Sequence, residues 1–75
     1  MKNQIENILV FATNIKTEND KLTISNVLNN NPEILQWSLD LEDIDCVLRI
    51  VSYTLSEEQI ITLLDNQNFE CSALE

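Results

Sequence analysis

Few side chains in this 75-residue sequence could take part in chemistry, and they stand far apart. Two thiols, Cys46 and Cys71, could act as soft-metal ligands or as a redox pair, but neither lies in a Cys-x-x-Cys motif that would lower its pKa. They read as buried structural thiols. Asp40, Glu42, Asp43 and Asp45 gather carboxylates of the kind that hold Ca²⁺ or Mg²⁺, yet the stretch has neither the turn glycine nor the bidentate glutamate of a calcium loop. It reads as a solvated turn, with an acidic docking patch for a basic partner as its functional alternative. Trp37 could stack on a ligand, although its alternation with Leu35 and Leu39 puts it on the core side. Arg49 is the one basic residue after Lys21.

What is missing excludes more than these residues suggest. With no glycine there is no phosphate-cradling P-loop, dinucleotide fingerprint, nucleophile elbow or EF-hand. With no histidine there is no Ser-His-Asp or Cys-His machinery and no HExxH or Cys₂His₂ zinc site. No nucleophile–base pair can be named, so an enzyme is not expected, nor is a cofactor.

Charge points the same way. Residues 1–21 balance Lys2, Lys16 and Lys21 against Glu6, Glu18 and Asp20, so the net charge of −9 resides wholly in residues 22–75. Such a field repels phosphate backbones and anionic lipid, which disfavours nucleic acid and membrane surfaces as partners. The early apolar run at residues 8–12 is too short for a signal peptide or a membrane span. A reduced cytoplasmic protein is expected, a single domain over residues 1–75 with 1–6 as a frayed N-terminus.

Positioning these groups falls to six elements. Ile8-Leu9-Val10-Phe11-Ala12-Thr13 is rich in β-formers and reads as a buried strand. After the loop Asn14-Ile15-Lys16, Thr17 is a candidate N-cap with Asp20 completing a capping box. Ile24, Val27 and Leu28 then form one face of a helix, and Leu22 falls outside that stripe. Asn29-Asn30-Asn31-Pro32 should stop it, with asparagine taking a left-handed turn and proline barring continuation. Leu35, Trp37, Leu39 and Leu41 alternate with polar residues as a strand with one wet face. The acidic turn leads into a return strand at residues 46–52, with Cys46, Leu48 and Ile50 on one face and Val47, Arg49 and Val51 on the other. Ser56 and Gln59 form a capping box for a second helix, Leu55 staples onto Ile60, and Ile60, Ile61, Leu63 and Leu64 supply its buried face. Asn66-Gln67-Asn68 ends that helix, and residues 69–74 suit a last strand.

The order βαββαβ predicts a ferredoxin-like α+β sandwich, a four-stranded antiparallel sheet with both helices on one face. In that topology the two cysteines lie on strands that flank the first strand. Val47, Arg49 and Val51 line the face the helices leave open, where two exposed valines around an arginine form a candidate interaction surface.

From Ile8 onward the chain resembles the heavy-metal-associated domains of copper chaperones and metal-transporting ATPases. Asn31-Pro32-Glu33-Ile34-Leu35-Gln36-Trp37-Ser38-Leu39-Asp40-Leu41-Glu42 is similar to that family's "PGV-x-x-V-x-V-D-L-E" second strand. Leu48-Arg49-Ile50 and Ser56-Glu57-Glu58-Gln59-Ile60 resemble its third strand and second helix, and Asn68-Phe69 stands where the family has Gly-Phe or Gly-Tyr. The family's metal motif is M-x-C-x-x-C after the first strand, whose two thiolates bind Cu(I). Counting back from Pro32 puts Ile15 at the methionine, Thr17 at the first cysteine and Asp20 at the second. A hydroxyl and a carboxylate do not hold Cu(I), so the resemblance implies a divergent bacterial relative with the fold and without the thiolate site. The expected function is a non-catalytic interaction module that docks a protein, either another chain or itself as a weak homodimer. The alternatives are a metal-handling domain with hard or improvised ligands, and a small-ligand regulatory domain.

Overall fold

The structure is a computed structural model that describes residues 7–74. The expectation of a frayed segment at residues 1–6 lies outside the described residues. Strand β1 (Asn7–Thr13) is followed by helix α1 (Glu18–Asn29), the hairpin strands β2 (Gln36–Asp40) and β3 (Val47–Ser52), helix α2 (Glu57–Asp65) and strand β4 (Cys71–Ala73). The strands form one antiparallel sheet in the order β2-β3-β1-β4, which is the ferredoxin-like arrangement the sequence predicts. Register pairs Leu9 with Ile50 and Phe11 with Leu48 in the centre, Trp37 with Ile50 and Leu39 with Leu48 on one side, and Thr13 with Cys71 on the other.

One side of this sheet carries the core. Phe11, Leu48 and Ile50 pack with Ile24 and Leu28 of α1 and Ile60 and Leu64 of α2, all essentially inaccessible to water. Burying each such side chain contributes about 1.5–3 kcal/mol relative to leaving it exposed. Leu22, outside the helical stripe, is 62% exposed. Leu55, just ahead of α2, joins Ile60 in the same cluster, as the staple requires.

Helix ends follow the sequence at three points and depart from it at one. Thr17 caps α1 by accepting the Asp20 N–H at 3.0 Å. Ser56 caps α2 in a full box: its Oγ accepts from Gln59 N, and Gln59 Oε1 accepts from Ser56 N at 2.8 Å. Asn68 takes the left-handed conformation (φ 67°) in a Schellman closure, where Asn68 N bonds Asp65 O and Phe69 N bonds Leu64 O. The expected left-handed turn after α1 is not found, because Asn30 caps that helix at φ −89°, ψ 0°. The asparagines there act through side chains instead. Asn30 Nδ2 donates to Asn26 O at 2.8 Å, and Asn31 Oδ1 accepts from Glu33 N at 2.9 Å.

Strand limits also shift. The second strand runs only over Gln36–Asp40, which leaves Leu35, 49% exposed, and Leu41 outside it. The last strand is shorter than residues 69–74 because Phe69 belongs to the closure of α2 and Glu70 N–H turns to Asn14 Oδ1. The third strand begins at Val47, since Cys46 lies at φ 48° in the turn and bonds back through its N–H to Asp43 O.

Candidate functional site

Three connections meet at one end of the sandwich: the β1–α1 loop, the β2–β3 turn and the α2–β4 loop. This is where the sequence resemblance would put a metal motif. Thr13 and Asn14, at the end of β1, tie the three together. Thr13 N–H bonds Asp45 O at 2.9 Å, and its Oγ1 donates to Cys46 O at 2.7 Å. The same hydroxyl accepts from Ile15 N at 3.3 Å. On the other side Asn14 N bonds Glu70 O and Asn14 Oδ1 accepts from Glu70 N at 2.9 Å. Neither residue stood out in the sequence; their hydroxyl and amide are ordinary end-of-strand polar groups until the register sets them between two loops.

Within this frame Ile15 is fully buried. Thr17 Oγ1 is engaged by Asp20 N, and Asp20 Oδ2 by Lys16 N at 3.4 Å. Asp20 therefore reaches one residue beyond the expected capping box, to the amide ahead of the N-cap. Both side chains at the candidate thiolate positions serve the entry of α1.

Cys46 and Cys71 lie on either side of β1, although Cys46 sits in the turn ahead of β3 and not on the strand as expected. Thr13 stands between them, donating its hydroxyl to Cys46 O and pairing in register with Cys71. Both are free thiols. Burial pushes the Cys71 thiol from its ordinary 9.0 up to about 11, the opposite of what a reactive or metal-binding thiolate needs.

The acidic group is exposed around the β2–β3 turn. Asp40 Oδ1 accepts from Glu42 N and Asp43 Oδ1 from Asp45 N, so these two carboxylates shape the turn they occupy. Among the described residues, no group of three or more histidine, cysteine or acidic side chains is arranged to hold a metal ion. Ile44, at the tip between Asp43 and Asp45, is 95% exposed. Its only sequence signal was an apolar residue inside an acidic turn.

Trp37 packs against the core cluster and donates its indole N–H to Asn29 Oδ1 at 2.8 Å. The face opposite the helices carries Ile8, Val10 and Ala12 of β1, Gln36, Ser38 and Asp40 of β2, and Val47, Arg49 and Val51 of β3, by strand alternation. Arg49 is exposed at its centre, between Val10 and Ser38. Val51 is half-buried, and Val47 is only 5% exposed, which corrects the expectation of two exposed valines. The reason is position: β3 is an interior strand, so Val47 has a neighbour on each side, next to Asp40 and one place beyond the Phe11–Leu48 pair. Ile8, 65% exposed, takes its place as an apolar contact. A cleft of about 350 Å³ opens here, lined by Ile8, Gln36, Trp37, Ser38, Arg49 and Val51.

No protein-family model matches the sequence, and none of the curated proteins matches it. A solved structure described as the apo form of the HMA domain of copper chaperone for superoxide dismutase superposes with a TM-score of 0.82 at 16% identity, over 100% of this chain and 74% of that one. No helix among the described residues is long and apolar enough to cross a membrane. The sheet order, the helix placement and this superposition agree: the chain has the fold of a heavy-metal-associated domain.

Proposed function

We propose that this protein is a non-catalytic interaction module, built on the heavy-metal-associated fold without its thiolate metal site, that docks a protein partner through the open face of its sheet around Arg49. The observation that carries the reading is the entry of α1, where Thr17 and Asp20 occupy the candidate ligand positions and are both engaged in capping. Neither is a thiolate, and the two real thiols lie apart with Cys71 held protonated by burial. The open face offers the remaining means of function. Among the described residues Arg49 is its one cation, set among Ile8, Val10 and Val51, and an arginine framed by apolar side chains is the composition of an interface anchor. The acidic remainder of the surface excludes phosphate backbones and anionic lipid, so the partner is a protein. Its place of action is the reducing cytoplasm, where both thiols stay free.

Arg49→Ala tests this. Arg49 is exposed, so the variant should fold with stability within about 0.5 kcal/mol of wild type. It should lose the proteins that co-purify with the wild-type chain. A variant that keeps both the co-purifying proteins and the self-association of the wild-type chain refutes the assignment.

A further inference from the structure

The open face and the β2–β3 turn are complementary to each other. The cleft is a neutral and apolar surface with one cation, Arg49, flanked by Ile8 and Val51. The turn presents the reverse: an almost fully exposed isoleucine, Ile44, flanked by the carboxylates of Asp43 and Asp45. Asp43 uses a carboxylate oxygen on the turn amide of Asp45, whereas Asp45 contributes its amide and carbonyl to the backbone ties. That leaves the Asp45 carboxylate as the group to meet a guanidinium.

The two features sit at opposite ends of one hairpin. The cleft covers the Gln36–Val51 and Ser38–Arg49 rows, and the turn follows the Asp40–Val47 row. Two copies related by a two-fold axis run their hairpins antiparallel, so the turn of each comes to the cleft of the other. That is the reciprocal pattern of an isologous dimer. Charge confines the contact to this surface. The chain carries −9, but among the described residues the open face by alternation bears only Arg49 and, at its rim, Asp40. Every other charge in residues 22–75 is negative, so appositions of those surfaces bring carboxylates together.

We propose that the docking partner is a second copy of this chain, with Ile44 of each protomer seated in the cleft of the other and Asp45 paired with Arg49. This rests on the docking reading above and names its partner. The patch is small, so the dimer belongs with weak complexes, at micromolar to millimolar Kd. Long-range repulsion between two acidic bodies is screened within about 8 Å at 0.15 M salt and persists over about 30 Å at 0.01 M, so association strengthens as salt is raised across that range.

Sedimentation equilibrium of the full chain, from about 10 μM to about 1 mM in 0.15 M salt, reads this out. Wild type should rise from 8.6 kDa towards twice that mass. Ile44→Ser, at an exposed position with no change of charge, should remain monomeric. Asp45→Lys is the discriminating variant. It lowers the net negative charge, so general repulsion predicts tighter association, whereas loss of the Arg49 partner predicts a monomer. The swap Arg49→Glu with Asp45→Lys keeps the net charge of −9 and should restore the dimer. A wild-type chain still monomeric at about 1 mM, or an Asp45→Lys chain that dimerises as well as wild type, overturns the inference. In either case the loss of co-purifying proteins on Arg49→Ala still decides the docking reading by itself.

Discussion

Replacing Thr13 by valine should unfasten the loop end of the sandwich without touching its core. Valine matches threonine in shape and suits a strand at least as well, so neither a cavity nor a propensity penalty confuses the result. What is lost is one hydroxyl with two duties: it donates to Cys46 O at 2.7 Å and accepts from Ile15 N at 3.3 Å. Both partners belong to buried residues, Ile15 wholly and Cys46 nearly so. An orphaned buried backbone group costs about 1–3 kcal/mol, and the longer Ile15 bond falls near the bottom of that range. The carbonyl of Cys46 adds a second consideration, since that residue is held at φ 48°, a left-handed conformation that a non-glycine residue adopts only under local constraint. Together these give about 2–3 kcal/mol, or a fall in Tm of about 8–24 °C for a domain of this size. Urea or thermal unfolding measures the loss, and amide hydrogen exchange at Ile15 and Cys46 localises it. Thr13→Ser, which keeps the hydroxyl, should recover most of the stability. A Thr13→Val protein within about 0.5 kcal/mol of wild type would refute the argument that this hydroxyl fastens the loops.

Two further outcomes follow from the helix entry and the buried thiol. Ser56→Ala removes the acceptor of the Gln59 N–H and half of the capping box, and should cost about 1 kcal/mol by urea unfolding, while Ser56→Asp should be close to neutral. Cys71 keeps its proton in the folded state up to about pH 11 but releases it near 9.0 when unfolded, so its contribution to stability is complete below pH 9 and is lost as the pH rises towards 11. A Cys71→Ser variant should lack that part of the pH dependence. At pH 8 the folded thiol should be alkylated about 100-fold more slowly than an unfolded one, and a rate within a few-fold of free cysteine would contradict the desolvation.

Much of this structure was legible because local chemistry and tertiary packing agree. The capping groups Thr17 and Ser56, the stripe of Ile24 and Leu28, the exclusion of Leu22 and the positive φ of Asn68 all follow from spacing and residue type. The misreadings share a cause: they depend on contacts between segments distant in sequence. Cys46 has no propensity for a left-handed conformation, which the turn bond to Asp43 O and the Thr13 hydroxyl impose on it. Val47 alternates correctly with Arg49 and Val51, yet alternation gives only the face, and an interior strand buries residues that an edge strand would expose. The asparagines after α1 carry more than one local solution, and the side-chain bonds of Asn30 and Asn31 prevailed over a left-handed cap. At the loop end the type of each residue was visible, but the joining of three loops by Thr13 and Asn14 required the register of β1 against both neighbours.

The distribution of charge then explains why an acidic chain would leave one face of its sheet uncovered. A bare sheet face with Ile8 and Val51 exposed or half-exposed is an aggregation hazard in a neutral protein, since any copy can meet any other. Here residues 22–75 place one cation against ten acids, and the cation stands on that face. Random encounters oppose carboxylates to carboxylates and fail. In the proposed dimer, the encounter that sets an acidic turn on Arg49 meets attraction where the other charges of residues 22–75 offer only repulsion. Under the proposed docking, the net charge of −9 acts as selectivity, favouring on the open face an occupant bearing carboxylates beside an apolar side chain. Arg49 is decisive in the proposed scheme because it reverses the local sign, and removing it would leave an apolar surface flanked by the acids of residues 22–75.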